Sequence, residues 1–192
     1  MKTLTLFFFI LFALTLTSNA QITKGNWLVG GNLTYGIQEG ESNSNGNKST
    51  SKGSALNLNA DLGYFVINKL TVGLTPYFGF GNPEGSNNSS IGFGIGPFAR
   101  YYFLKPEKTI NIFSQLEYYY GNSYSNGKKE SESNGYSIKN GVAIFLNNSI
   151  AFEVSLNYNV SKNNYVSGYD SKFKDFNIGV GFQIHLEKTT NQ

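Results

Sequence analysis

The chain has no cysteine. That excludes a disulfide scaffold, a thiolate metal site, a thiol nucleophile and an N-terminal lipidated cysteine. It has a single histidine, His185, too little for a His-based metal cluster or proton relay. Charge is sparse as well: 14% of residues are Asp, Glu, Lys or Arg and the net formal charge is +3. Such a balance carries no footprint for nucleic acid. Sparse charge beside 16% aromatic residues also excludes a disordered chain. No metal and no organic cofactor is expected.

What is present begins with an address. Met1-Lys2 is a short positive start, Leu4 to Leu16 is almost wholly apolar, and Ser18-Asn19-Ala20 puts small residues before a cut at Gln21. This is the secretory signal layout. The apolar run falls short of the ~20 residues that span a bilayer, so residues 1–20 read as a cleaved signal peptide and 21–192 as one mature domain. No later run is long enough for a membrane helix.

Beyond residue 21 the apolar residues recur with period two, the signature of half-buried strands. Eight segments follow: Trp27–Gly36, Ala55–Val66, Leu70–Phe80, Ser90–Phe103, Ile110–Gly121, Tyr136–Leu146, Ile150–Val160 and Phe176–Leu186. In the seventh, Phe152, Val154, Leu156 and Tyr158 oppose Glu153, Ser155, Asn157 and Asn159. The fifth is the least regular, with Phe113 and Ser114 on the wrong faces. Short connectors (67–69, 104–108, 147–149) alternate with long ones (37–54, 81–89, 121–135, 161–172). The pattern is four hairpins with all tight turns at one end. Pro76 and Pro97 cannot donate to a ladder, so a distortion is expected where segments three and four meet.

The two faces differ in a way that identifies the solvent. One carries Leu, Ile, Val, Phe and Tyr with almost no charge. The other carries Gly, Asn, Thr, Ser and the ions Asp61, Arg100, Glu117, Lys139 and Glu153. A soluble barrel hides its apolar face inside, whereas a membrane barrel turns it to lipid and keeps a polar lumen. Small residues on the polar face suit a narrow lumen. Lipid also demands that every backbone group be paired, which a closed barrel achieves. The reading is all-β: an eight-stranded antiparallel up-and-down transmembrane β-barrel. Aromatic residues near strand ends form the expected interfacial girdles. Trp27, Tyr64, Phe65, Tyr101, Tyr102 and Phe103 lie near the short turns. Tyr35, Phe78, Phe80, Tyr118, Tyr120, Tyr136 and Tyr158 lie towards the long connectors.

Three stretches carry a resemblance: Lys24-Gly25-Asn26-Trp27 through Gly30-Gly31, Gly96-Pro97-Phe98-Ala99-Arg100-Tyr101-Tyr102, and Phe176-Asn177-Ile178-Gly179-Val180-Gly181-Phe182. They resemble the small outer-membrane β-barrel proteins, the OmpA/OmpX-like and porin-family barrels of Bacteroidetes type. The resemblance runs over the whole mature chain through short motifs. It implies a barrel with both termini in the periplasm, placed in outer-membrane lipid by the barrel-assembly machinery. Members usually end on an aromatic residue that this machinery reads. Here the chain runs six residues past Leu186, so the signal is either internal, at Phe182–Leu186, or weakened by the tail. No wall-binding domain is expected after the barrel.

The inward ions are the candidate site. Counted from the short turns, Arg100, Glu153 and Asp61 form one tier, and Glu117 with Lys139 a second, nearer mid-membrane. An unpaired buried charge is very costly, so at least one acid is expected within salt-bridge reach of Arg100. The ions then brace and fill the lumen; a gate or proton path is the alternative. Gly92-Phe93-Gly94-Ile95-Gly96 mimics a phosphate loop but lies mid-strand with no following helix, so its glycines serve packing. His185 lies inward near the short turns, the wrong place for a lipid hydrolase triad. The function expected is therefore a monomeric, non-enzymatic barrel with a structural or surface-interaction role. The four long connectors would meet any surface ligand. A narrow channel for ions or very small solutes and a secreted lipocalin-like barrel are the alternatives.

Overall fold

The computed structural model describes residues 22–44, 47–83, 89–168 and 170–187. The signal segment 1–20 lies outside them. Eight strands run in chain order: β1 Trp27–Ser44, β2 Asn47–Ile67, β3 Leu70–Pro83, β4 Ser90–Tyr102, β5 Ile110–Ser125, β6 Lys128–Phe145, β7 Ile150–Tyr165 and β8 Asp170–Leu186. Each pairs antiparallel with its neighbours, and β8 closes on β1, giving an up-and-down barrel. No helix among the described residues is long and apolar enough to cross a membrane.

The alternation fixes which way each side chain points, because successive strand residues face opposite sides. Outside lie Leu58, Leu74, Ile95, Ile112, Leu116, Val154, Leu156 and Phe182, all exposed. Inside lie Asp61, Thr75, Arg100, Gln115, Glu153 and Gln183, all buried. This polarity is opposite to that of a soluble ligand-binding barrel. Trp27, Tyr35, Tyr101, Phe103, Tyr118, Tyr120 and Tyr158 point outward and exposed, with Tyr64 half-buried against Trp27 at a 5.2 Å ring separation. Phe65 and Tyr102 do not join them: both are fully buried in the lumen.

The strands are longer than the alternation implied. β6 begins at Lys128, and β1 and β2 continue to Ser44 and Asn47. Most of the expected loops 37–54, 121–135 and 161–172 are therefore paired strand. The physical reason is that period two records a difference between faces. Past an apolar belt both faces meet water, so the pattern vanishes while the ladder continues. Within 81–89, residues 81–83 are strand, and 84–88 lie outside the described residues. The β5–β6 hairpin turns on Asn126-Gly127, both with positive φ (49° and 75°). This is the favoured two-residue turn chemistry.

The prolines act at a different place from the one expected. β3 and β4 pair continuously from Leu70↔Tyr101 to Gly81↔Ser90, through Pro76↔Ile95 and Leu74↔Pro97. The interruptions fall on the other edge of each strand. β2–β3 pairs skip from Asn59↔Tyr77 to Leu62↔Leu74, and β4–β5 pairs from Ile95↔Tyr120 to Phe98↔Glu117, with register unchanged. Each proline turns its missing N–H away from the β3–β4 ladder, so no bulge is needed there.

Glycines on the lumen face make room for rings. A Cβ on Gly73 would lie 2.6 Å from Gly63 Cα and 2.7 Å from Phe98 Cε1, and would crowd the Leu62 carbonyl. At Gly92, on the same face of the next strand, the nearest atom would be 3.9 Å away. Gly73→Ala should therefore lower the stability of the refolded barrel by about 1–3 kcal/mol. Gly92→Ala should stay within about 0.5 kcal/mol of the parent. Urea unfolding midpoints in lipid vesicles check the pair, and equal midpoints would contradict the packing role.

Candidate functional site

The lumen narrows on Arg100, which is fully buried. An arginine cannot shed its charge in a protein, so burial obliges the surrounding strands to supply partners. Nε donates to Gln115 Oε1 at 2.7 Å. Nη1 donates to Glu153 Oε1 at 2.9 Å and to Tyr102 Oη at 3.3 Å. Nη2 donates to Asp61 Oδ2 at 3.0 Å. The Phe113 ring stacks on the guanidinium, with Cζ 4.5 Å from its centroid.

The partners are held in turn. Thr75 Oγ1 donates to Asp61 Oδ1 at 2.8 Å, and Tyr102 Oη donates to Gln183 Oε1 at 2.9 Å. Lys139 Nζ stands 3.6 Å from Asp61 Oδ2. Every strand from β2 to β8 thus contributes a side chain to one crossbar. The two expected tiers are one network. Lys139, on a long flexible stem, reaches down to Asp61 instead of pairing with Glu117, and Glu117 accepts from Gln115 Nε2 at 3.4 Å.

Below the crossbar the short-turn end is packed apolar. Ile22, Leu28, Phe65, Phe98, Tyr102, Phe113 and Phe145 form one buried cluster. The segment before β1 folds under it: Ile22 O accepts from Lys69 N, and Asn26 O from Phe65 N. His185 lies inside this cluster, 5.3 Å from the Phe145 ring and 5.6 Å from Phe65. That is ring packing within the plug, with the side chain fully buried.

Above the crossbar the lumen widens into a cavity of about 810 Å³. Its wall is mainly Asn, Ser and Tyr, including Asn57, Asn59, Tyr77, Tyr119, Ser137 and Asn157. Asparagine offers a donor and an acceptor on a short side chain. Asn59 Nδ2 donates to Asn32 Oδ1 at 3.0 Å, and Asn157 Nδ2 to Asn177 Oδ1 at 2.8 Å. The barrel is therefore a polar cup with a braced floor.

The alternation picked out Arg100, Asp61, Glu117, Lys139 and Glu153 but missed the plug. Leu28, Phe65, Tyr102, Phe113 and Phe145 are large residues on the otherwise polar face, and each lies within a few residues of a short turn or the start of β1. That clustering is the signal that could have found it. Phe113, which looked out of phase, is in phase and belongs to the plug.

No protein-family model matches the chain, and no curated protein matches it. Solved structures do. The crystal structure of the outer membrane protein OprG from Pseudomonas aeruginosa is similar at a TM-score of 0.54 and 16% identity, over 88% of this chain and all of that one. Neisserial surface protein A is similar at a TM-score of 0.52 and 13% identity, over 84% of this chain and 97% of that one. The fold is that of small outer-membrane barrels. The narrower likeness to a Bacteroidetes type rests on the sequence motifs alone.

Removing one member of a buried ion network leaves the others uncompensated, at about 3–5 kcal/mol. Arg100→Met should cost about that much, because among the described residues Glu153 loses its only ion-pair partner and Asp61 one of its two. The triple change Arg100→Met, Asp61→Asn, Glu153→Gln should recover a substantial part. Denaturant unfolding of the refolded variants measures both, and a triple variant no better than the single one would contradict the pairing.

Proposed function

We propose that the protein is an exported outer-membrane barrel, closed to solutes, that works as a structural and surface-interacting element without catalysis. The observation that carries this reading is the combination of an apolar exterior with a lumen filled from wall to wall by the Arg100 crossbar and the ring plug. A sheet in lipid has to close on itself to satisfy its backbone; β8 closes on β1 here, and the exterior has the composition such a solvent requires. An eight-stranded barrel has an interior just wide enough for side chains to fill.

In this reading residues 1–20 are removed on export, and both termini face the periplasm, on the side of the plugged short turns. The barrel-assembly machinery inserts the mature chain into outer-membrane lipid as a monomer. Trp27, Tyr64, Tyr101 and Phe103 sit at one interface, with Tyr35, Tyr118, Tyr120 and Tyr158 towards the other. The four hairpins around 37–54, 81–89, 121–135 and 161–172 project outward and are the surfaces for a ligand or partner. The likeness to OprG and Neisserial surface protein A supports the kind of barrel.

The narrow-channel reading is kept by one observation, the roughly 810 Å³ cup above the crossbar. Conductance separates the two. Pure protein in planar bilayers should show no steady open steps, and Arg100→Ala should be the variant that introduces leak. In cells, the protein should fractionate with the outer membrane and run as a compact band that slows on boiling. Steady steps from the parent protein would overturn the plugged reading, and recovery in the soluble periplasm would overturn the location.

A further inference from the structure

The barrel wall is uneven. β1 and β2 share eighteen ladder pairs, and β7 and β8 fifteen. β1 and β8 share five, from Trp27↔Leu186 to Gly31↔Phe182. Among the described residues no β1–β8 pair forms above that point, although β1 runs on to Ser44 and β8 starts at Asp170. The closure therefore parts into a seam about a third of the way up β8.

The accessibilities agree. Ile178 is 71% exposed and Val180 61%, above the 58% of Leu116 and the 47% of Leu74 and Leu156, outward-facing residues on paired wall. Asn177 points inward yet is exposed. The polar cup reaches both faces of the wall beside this gap. Its lining includes the lumen-facing Asn32, Asn177 and Gly179 together with the outward-facing Tyr35, Ile178 and Val180. At the foot of the seam a space of about 20 Å³, room for roughly one water, lies among Gly31, Phe182, Asp61, Lys139 and Glu153.

The seam lies at the depth of the apolar belt. The outward residues of β8 beside it, Phe176, Ile178 and Val180, continue directly into Phe182, Ile184 and Leu186. Free strand edges facing dry hydrocarbon would cost several kcal/mol for each unpaired group. Here the edges border a wet, Asn-lined cup on one side and lipid on the other. A boundary with water inside and alkane outside suits a molecule with one polar and one apolar end. The mouth is bare on the β8 side because Gly179 and Gly181 carry no side chain, and the cup falls in the usual size range of small-ligand sites, about 300–1,000 Å³. Its rim is amide and hydroxyl, with charge only at Glu117 and Lys139 lower down, so the complementary head is uncharged and rich in hydrogen bonds.

We propose that the β1–β8 seam is a lateral portal that admits a single-chain amphiphile, its uncharged hydroxyl- or amide-bearing head in the Asn-lined cup and its alkyl chain passing between Tyr35 and Ile178 into the lipid. This rests on the chain spanning a bilayer, but it needs no conduction across the barrel, because the plug closes the floor. A second copy of the chain adding a strand to the free edges is the competing occupant. It is disfavoured because both edges belong to one chain, face one another and flank a polar cavity.

The absence of cysteine in the native chain allows clean labelling. A bimane fluorophore is placed at Asn177→Cys, at the mouth, or at Ser137→Cys, inward on β6 across the lumen. Each protein is inserted in phosphatidylcholine vesicles and titrated with dodecyl maltoside brominated in mid-chain. Compact-band migration of each labelled protein confirms the barrel separately, so failure of the fold and failure of the portal are distinguishable. The expected result is saturable quenching at position 177, at least about threefold stronger than at 137, and abolished by Gly179→Phe, which fills the mouth from inside. The Cβ at Gly179 would meet only the side-chain ends Asn157 Nδ2 and Ser155 Oγ closer than 3 Å, so this variant should fold. Equal quenching at both positions, or quenching at 177 that rises without saturation, would overturn the portal. So would protection of position 177 that grows with protein concentration, the signature of a second copy in the seam. If Gly179→Phe fails to fold, the contrast between the two labels still decides.

Discussion

A permanently charged guanidinium inside a narrow barrel sets the terms for everything around it. The cost of stripping water from Arg100 is offset only by well-placed partners on every side. The fold supplies them from β4, β5, β7 and β2 directly and from β3, β6 and β8 at one remove. Because the partners come from across the lumen, one cation ties walls that are far apart in sequence: Glu153 stands 53 positions from Arg100, and Gln183 81 from Tyr102. The crossbar also divides the interior. Below it aromatic rings are packed together; above it the wall is lined by amides and hydroxyls.

The two solvents of this molecule explain its composition. Outside, aliphatic and aromatic side chains face an apolar medium, and a mean hydropathy of −0.26 hides them only because Gly, Asn and Ser fill the lumen and hairpins. Asparagine is a poor strand residue by propensity, yet it recurs on the inner face because a narrow wet lumen favours short side chains that both donate and accept. Glycine answers the same narrowness: Phe98 lies over Gly63 and Gly73, Tyr77 over Gly94 and Gly121, and Phe113 over Gly141, where the wall carries no side chain.

The sequence made the architecture legible because one physical variable, the contrast between strand faces, is written at period two. It gave the strand number, the pairing order and the direction of nearly every side chain. It also singled out Arg100, Asp61 and Glu153, since a charge in an alternating strand has one place to point. It lost the strand ends, where both faces are wet and the contrast disappears, although Asn126-Gly127 kept a local turn signature. It misplaced Lys139, because a long stem moves the charge away from the register position of its backbone. It missed the plug, because Phe65 and Tyr102 at a strand end can serve an interface or a lumen floor, and only their parity decides. The seam could not be read at all: strand pairing between the first and last strands leaves no trace in either strand's own pattern.

The plug and the braced cup both depend on Arg100 being held fast at the centre of the lumen. Nitrogen-15 NMR of Arg100, the chain's single arginine, with the protein in lipid nanodiscs, observes this directly. A locked crossbar gives Arg100 an Nε–H resonance protected from exchange with water and separate Nη1 and Nη2 signals. A single averaged Nη signal with Nε–H exchanging as fast as a surface arginine would show a mobile cation in an open, wet lumen and would contradict the plugged barrel.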